Sequence, residues 1–128
     1  MGQEARRILL AEDDRFLRKA AETTLRRHGF TVFTAVDGEE ALSLARAETL
    51  DLILLDLIMP KRQGFEVLRA LKADAATSQI PVVILSNLGQ ESDVQAALGA
   101  GAAAYLVKAD LSLEDLIKRV DEVLQGEG

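Results

Sequence analysis

Short aliphatic or β-branched runs alternate five times with helix-period segments along this chain, and that alternation leaves few folds open. Residues 6–11 (RRILLA), 30–36 (FTVFTAV), 51–56 (DLILLD), 80–86 (IPVVILS) and 103–108 (AAYLVK) read as strands, with Pro81 near the start of its run, where a missing N–H is tolerated. Residues 14–29, 39–48, 64–74, 90–99 and 112–125 read as helices. The first, third and fourth strand runs are almost continuously aliphatic, as expected when both faces of a sheet are covered. Repeated βα units of this kind predict an α/β fold: a doubly wound, five-stranded parallel sheet with helices on both faces.

Local signals mark the ends of these elements. The first helix carries Leu17, Ala20, Ala21, Thr24 and Leu25 on one face, with Asp14 as its expected N-cap and Gly29 as its stop. His28, just before Gly29, suits a solvated helix C-terminus. The last helix places Leu113, Leu116, Ile117, Val120, Val123 and Leu124 at apolar positions, and Ser112 with Asp115 resembles a capping box. Asp37-Gly38 reads as a turn. Residues 99–104 (GAGAAA) match the spacing of a dinucleotide-binding glycine loop, but a helix precedes them and a strand follows, the reverse of what that loop requires. They are better read as a helix stop and a tight turn.

Composition narrows the class. The 128 residues suit one domain, 1–128, and contain no cysteine. A domain this size buries roughly two-thirds of its unfolded surface, so it needs neither disulfide nor structural metal to fold. The net charge of -6 argues against direct nucleic-acid binding, which requires clustered Lys and Arg. The longest uncharged apolar run, 96–107, is too short and too rich in Gly and Ala to span a bilayer. The first residues lack the apolar stretch of a signal peptide. The expectation is a cytoplasmic protein with no membrane partner.

In open parallel sheets the ligand site lies at the carboxyl ends of the strands. Those positions hold Glu12, Asp13 and Asp14 after the first strand, Asp37 after the second, Asp56 at the end of the third, Ser86 and Asn87 at the end of the fourth, and Lys108 at the end of the fifth. Close carboxylates repel unless a proton or a cation joins them. Hard oxygen ligands suit Mg²⁺, which uses one or two carboxylates, waters and a phosphate oxygen. A carboxylate in such a setting can attack a phosphoryl donor and form an aspartyl-phosphate, with metal and Lys neutralising the transferring charge.

The stretches ILLAEDD, LILLDLIMP, VVILS and GAAAYLVK, in this order and at the ends of the right strands, resemble the response-regulator receiver domain, the phosphoacceptor module of two-component signalling. The resemblance implies strand order 2-1-3-4-5, a flavodoxin-like arrangement that periodicity alone does not give. It implies Asp56 as phosphoacceptor, Asp13 as a direct Mg²⁺ ligand, Glu12 as an indirect one through water, and the Ile58 carbonyl as a further ligand. It makes Ser86 the switch hydroxyl, Lys108 the phosphoryl partner, and Tyr105 the aromatic that changes rotamer as the hydroxyl moves. The implied donor is a histidine kinase or phosphotransfer protein. The implied output is binding of a partner that the sequence does not name, or a homodimer through the helix 4–strand 5–helix 5 face. Leu124 lies almost at the end, so the expectation is either a single-domain regulator or a receiver cut from a longer protein.

Departures from the family pattern carry their own expectations. Ala109 follows Lys108 where many receivers have a cis proline. A cis bond without proline costs about 2.5–4 kcal/mol, so a trans bond and a rearranged loop are expected. Asn87 occupies a position that is often Ala or Gly, and Gln63 one that is often Asp. The resemblance implies that the apolar Ile58 and Leu88 side chains flank the path of an attacking water, which they cannot orient, so slow self-dephosphorylation is expected. Two rival readings are a pseudo-receiver that binds partners without phosphate and a Mg²⁺-dependent phosphohydrolase. The second lacks a general base outside the metal carboxylates and a cap to enclose substrate.

Overall fold

In a computed structural model of the chain, the residues described are 5–59 and 63–126. Pro60, the last residue of the LILLDLIMP stretch, lies outside them. The elements run β1 (Arg7–Ala11), α1 (Arg15–Arg27), β2 (Thr31–Ala35), α2 (Gly38–Ala47), β3 (Leu52–Leu55), α3 (Gly64–Ala73), β4 (Val82–Ser86), α4 (Glu91–Gly99), β5 (Ala104–Val107), a 3₁₀ turn (Lys108–Asp110) and α5 (Leu113–Leu124). All strand pairs are parallel, and the order across the sheet is β2-β1-β3-β4-β5. The chain reverses its winding direction at β1, so the carboxyl ends of β1 and β3 lie side by side there.

Strand periodicity divides the core in two. Leu9, Ala11, Ile53, Leu55, Val82 and Ile84 point to one face, against Ala41, Leu42, Val67, Leu68, Leu71 and Ala97 of α2, α3 and α4. Their neighbours Ile8, Leu10, Leu52, Leu54, Val83 and Leu85 point to the other, against Ala21 and Leu25 of α1 and Leu116, Ile117, Val120 and Val123 of α5. Burying one such Leu, Ile or Val side chain stabilises by about 1.5–3 kcal/mol. These two layers clamp β1, β3 and β4 from both sides and hold their carboxyl ends rigidly.

Several local expectations hold. The Asp14 carboxylate caps α1, Oδ1 accepting from the N–H groups of Phe16 at 2.9 Å and Leu17 at 3.1 Å. The Ser112–Asp115 capping box is formed. Gly29 and Gly101 turn the chain at φ 98° and 108°, a region where side chains with a Cβ are strained. No cis peptide bond occurs among the described residues, Lys108–Ala109 included.

Others need correction. Asp37 is not half of an isolated turn: it is the N-cap of α2, its Oδ1 accepting from the Glu40 N–H at 2.8 Å, and Gly38 is already helical. Ala20 is exposed, because only Ala21 and Leu25 of α1 reach the core. His28 is not merely solvated; its Nε2 lies 3.1 Å from Asp121 Oδ2 of α5. β5 ends at Val107, and Lys108 begins the 3₁₀ turn that leads to α5.

Candidate functional site

Each functional side chain leaves the sheet where a strand stops. β1 ends at Ala11, followed by Glu12 and Asp13; β3 ends at Leu55, followed by Asp56. Backbone bonds from Glu12 N to Ala35 O and from Asp56 N to Ala11 O, both 3.0 Å, carry the sheet's hydrogen bonding one step past the strands. Glu12, Asp13 and Asp56 each bring a carboxylate oxygen within 4.8 Å of the others. Glu12 is fully buried, Asp56 is 5 % exposed and Asp13 is exposed, so the cluster opens to solvent on the Asp13 side. With Asp14, Ile58, Asn87 and Lys108 these residues line a cleft of about 260 Å³.

Lys108 is the cation of the cleft. Its Nζ lies 3.0 Å from Asp56 Oδ2 and 2.6 Å from Glu12 Oε1. The second contact is an ion pair outside hydrogen-bond geometry, which leaves Glu12 Oε1 buried without a hydrogen bond. Burial works against the charge on Lys108, but its close contacts with Glu12 and Asp56 and their negative charge outweigh burial and raise its pKa above the ordinary lysine value. Burial pushes Glu12 up to about 7; the neighbouring Asp56 charge adds to this, while Lys108 and the Asp14 N–H oppose it. A buried glutamate beside two further carboxylates is a hard-oxygen donor set suited to Mg²⁺.

The loops shape the rest. After β3, Asp56 Oδ1 accepts from the Ile58 N–H at 3.1 Å, and the exposed Ile58 side chain stands at the rim of the cleft. The chain then returns at Gly64, whose N–H donates to Leu57 O at 2.9 Å. A Cβ at Gly64 would lie 2.4 Å from Leu57 Cα and 2.5 Å from Asp56 O, so only glycine lets α3 start this close to Asp56. After β4, the buried Ser86 Oγ accepts from the Leu88 N–H at 3.2 Å. The Leu88 carbonyl in turn accepts from the Tyr105 hydroxyl. One residue of the β4–α4 loop is thus held at both ends, by the residues expected to be switch hydroxyl and switch aromatic. Burial raises the Tyr105 hydroxyl pKa above its ordinary value; the nearby Ser86 hydroxyl opposes this, and the charges of Asp93 and Asp56 add to it.

Glu12, Asp13, Asp56 and Lys108 therefore converge as the sequence suggests, and Ile58 joins them at the rim. Ser86 Oγ and Tyr105 face Leu88. Asp14 and Asp37 serve as helix caps. Sequence reasoning missed Gly64, whose only signal is a glycine at the first position of a helix, and Arg18, which donates to the carbonyls of the acidic turn.

Comparison with known proteins gives the family and supports the fold. The family model described as "Response regulator receiver domain" matches residues 8–121. The chain is 42 % identical over 117 residues to a gliding motility regulatory protein of Myxococcus xanthus, covering 91 % of this chain and 15 % of that much longer protein. It is 38 % identical over 120 residues to protein PilH of Pseudomonas aeruginosa, covering 94 % of this chain and 98 % of PilH. Among solved structures, the receiver domain of the Francisella response regulator 1452 superposes with a TM-score of 0.88 at 30 % identity, covering 96 % of this chain and 99 % of that one. The chain belongs to the response regulator receiver domain family.

Proposed function

We propose that Asp56 is the phosphoacceptor of this receiver domain, with a histidine kinase or phosphotransfer protein as donor and Mg²⁺ held by Glu12, Asp13, Asp56 and the Ile58 carbonyl. The observation that carries this reading is the meeting of Asp56 with Lys108 at 3.0 Å inside a cluster of three carboxylates. When bound, Mg²⁺ supplies charge neutralisation for the phosphoryl oxygens. An Asp56 carboxylate oxygen attacks phosphorus; the P–N bond of the donor phosphohistidine breaks, and the imidazole leaves with the electron pair and takes up a proton. Lys108 stays with the new phosphoryl group and balances its charge.

The switch follows from what Ser86 already holds. Its hydroxyl turns toward the phosphoryl oxygens and gives up the Leu88 N–H. The β4–α4 loop then shifts, and with it the Tyr105 anchor on Leu88. The output is a change in the balance of two conformations of the α4–β5–α5 face, read by a partner or by a second copy of the chain.

Incubation with acetyl phosphate in MgCl₂ or in EDTA, followed by intact mass, tests the reading. One phosphoryl adduct in the MgCl₂ arm, absent in EDTA, supports it. No adduct in either arm means a binding module that does not use phosphate, and an adduct indifferent to EDTA removes the metal from the account.

A further inference from the structure

Asp13 is the weakly held member of the acidic cluster. Glu12 is fixed by burial, by Lys108 and by the Asp14 N–H, which donates to Glu12 Oε2 at 3.0 Å. Asp56 is fixed by Lys108 and the Ile58 N–H. Among the described residues the Asp13 carboxylate has neither hydrogen bond nor ion pair, and Asp13 is exposed. Its position beside Glu12 and Asp56 is therefore set by its backbone. That backbone has a specific anchor. Arg18, one turn into α1, folds its guanidinium back so that Nη1 donates to Glu12 O at 3.0 Å and to Asp13 O at 3.2 Å.

We propose that Arg18 is a positioning residue for the metal-binding turn, holding Asp13 in place through the carbonyls of Glu12 and Asp13. The proposal rests on the Mg²⁺ site proposed above. The guanidinium suits the task because one planar group spans two adjacent carbonyls and stays charged. It ties the turn to α1, which Ala21 and Leu25 anchor in the core. The bonds go to backbone, so Arg18 need not touch the metal to set where Asp13 meets it. Outer groups of this kind typically alter metal affinity when removed.

The test is Mg²⁺ affinity by titration calorimetry with MgCl₂, alongside thermal melting without metal. Arg18→Met is expected to weaken Mg²⁺ binding about tenfold, the lower end of what loss of an outer partner costs. Arg18→Lys, which can satisfy one carbonyl, is expected to lose only about threefold, the low end of what a single net hydrogen bond is worth. Arg26→Met is the control: Arg26 Nη2 donates to Val32 O at 3.0 Å from the far end of the same helix, so its loss removes a comparable bond away from the cluster. It should leave Mg²⁺ affinity unchanged. Wild-type affinity in both Arg18 variants, or an equal loss in Arg26→Met, overturns the proposal. If Arg18→Met does not fold, Arg18→Lys decides: weakened binding at unchanged circular dichroism supports the assignment, and wild-type binding overturns it. Failure of the wild-type protein to bind Mg²⁺ at all would instead sink the metal reading, and this assignment with it.

Discussion

Lys108 Nζ stands 2.6 Å from Glu12 Oε1, against a carboxylate with no exposure to solvent. The same ammonium reaches Asp56, so one cation serves two buried carboxylates. Removing one partner from a buried ionic group costs about 3–5 kcal/mol, because the remaining charges are left uncompensated. Lys108→Ala should therefore destabilise the metal-free protein by about 3 kcal/mol at neutral pH in urea denaturation. Added MgCl₂ should stabilise this variant more than wild type, because a divalent cation can replace the lost charge. Equal stabilisation of both proteins would show that Lys108 does not stand in for the metal.

Gly64 sets how closely α3 approaches Asp56. A methyl group there meets backbone atoms of Asp56 and Leu57 rather than a movable side chain. Gly64→Ala should destabilise by about 1–3 kcal/mol, the usual range for forced overpacking. It should also perturb the amide signals of Asp56 and Ile58 in an NMR spectrum. A variant as stable as wild type, with those signals unmoved, would mean that the loop has room that the structure does not show.

Tyr105 offers a pH readout. It is the only tyrosine, and the chain has no tryptophan, so its ionisation can be followed directly by near-ultraviolet absorbance. The hydroxyl pKa is raised in the folded state from its ordinary 10.0. The unfolded chain therefore loses this proton first, so the contribution of Tyr105 to stability is complete below pH 10 and is lost as pH rises through the folded value. The titration midpoint of the native protein should lie above that of the urea-unfolded chain. Tyr105→Phe should lose less stability than wild type over the same alkaline range. Coincident native and unfolded midpoints would place the hydroxyl in solvent, away from Leu88.

The proposed phosphoacceptor role of Asp56 gives Ile58 a testable part in how long a phosphoryl group stays. Its side chain is 58 % exposed at the rim of the cleft and offers no polar atom to an attacking water. Ile58→Asn should shorten the lifetime of the phosphorylated protein roughly fivefold, as expected if one net hydrogen bond of about 1 kcal/mol orients that water. The decay of the phosphoryl adduct, followed by intact mass, measures it. An unchanged or longer lifetime would remove Ile58 as a determinant.

The sheet, its helices and the meeting of Asp13, Asp56 and Lys108 were legible in the sequence because they follow from two strong regularities. Ile8 and Leu10 alternate with Leu9 and Ala11 between two cores, and parallel strands present their last residues on one edge. What escaped depends on distances that periodicity does not carry. Asp37 before Gly38 has the chemistry of both a turn and a cap, and the Glu40 N–H decides between them. The 3₁₀ turn at Lys108 depends on the backbone path between β5 and α5. Gly64 matters only because the Asp56–Leu57 backbone lies against it. Arg18 is an ordinary exposed-type residue on a helix until the fold brings two carbonyls under its guanidinium.

The identity of the phosphoryl acceptor is the claim on which the rest depends. Wild type and Asp56→Asn should be treated with acetyl phosphate and MgCl₂, and their masses compared, with circular dichroism confirming that both are folded. One phosphoryl group on the wild-type protein and none on Asp56→Asn is the expected result. A folded Asp56→Asn protein that still gains a phosphoryl group would contradict it.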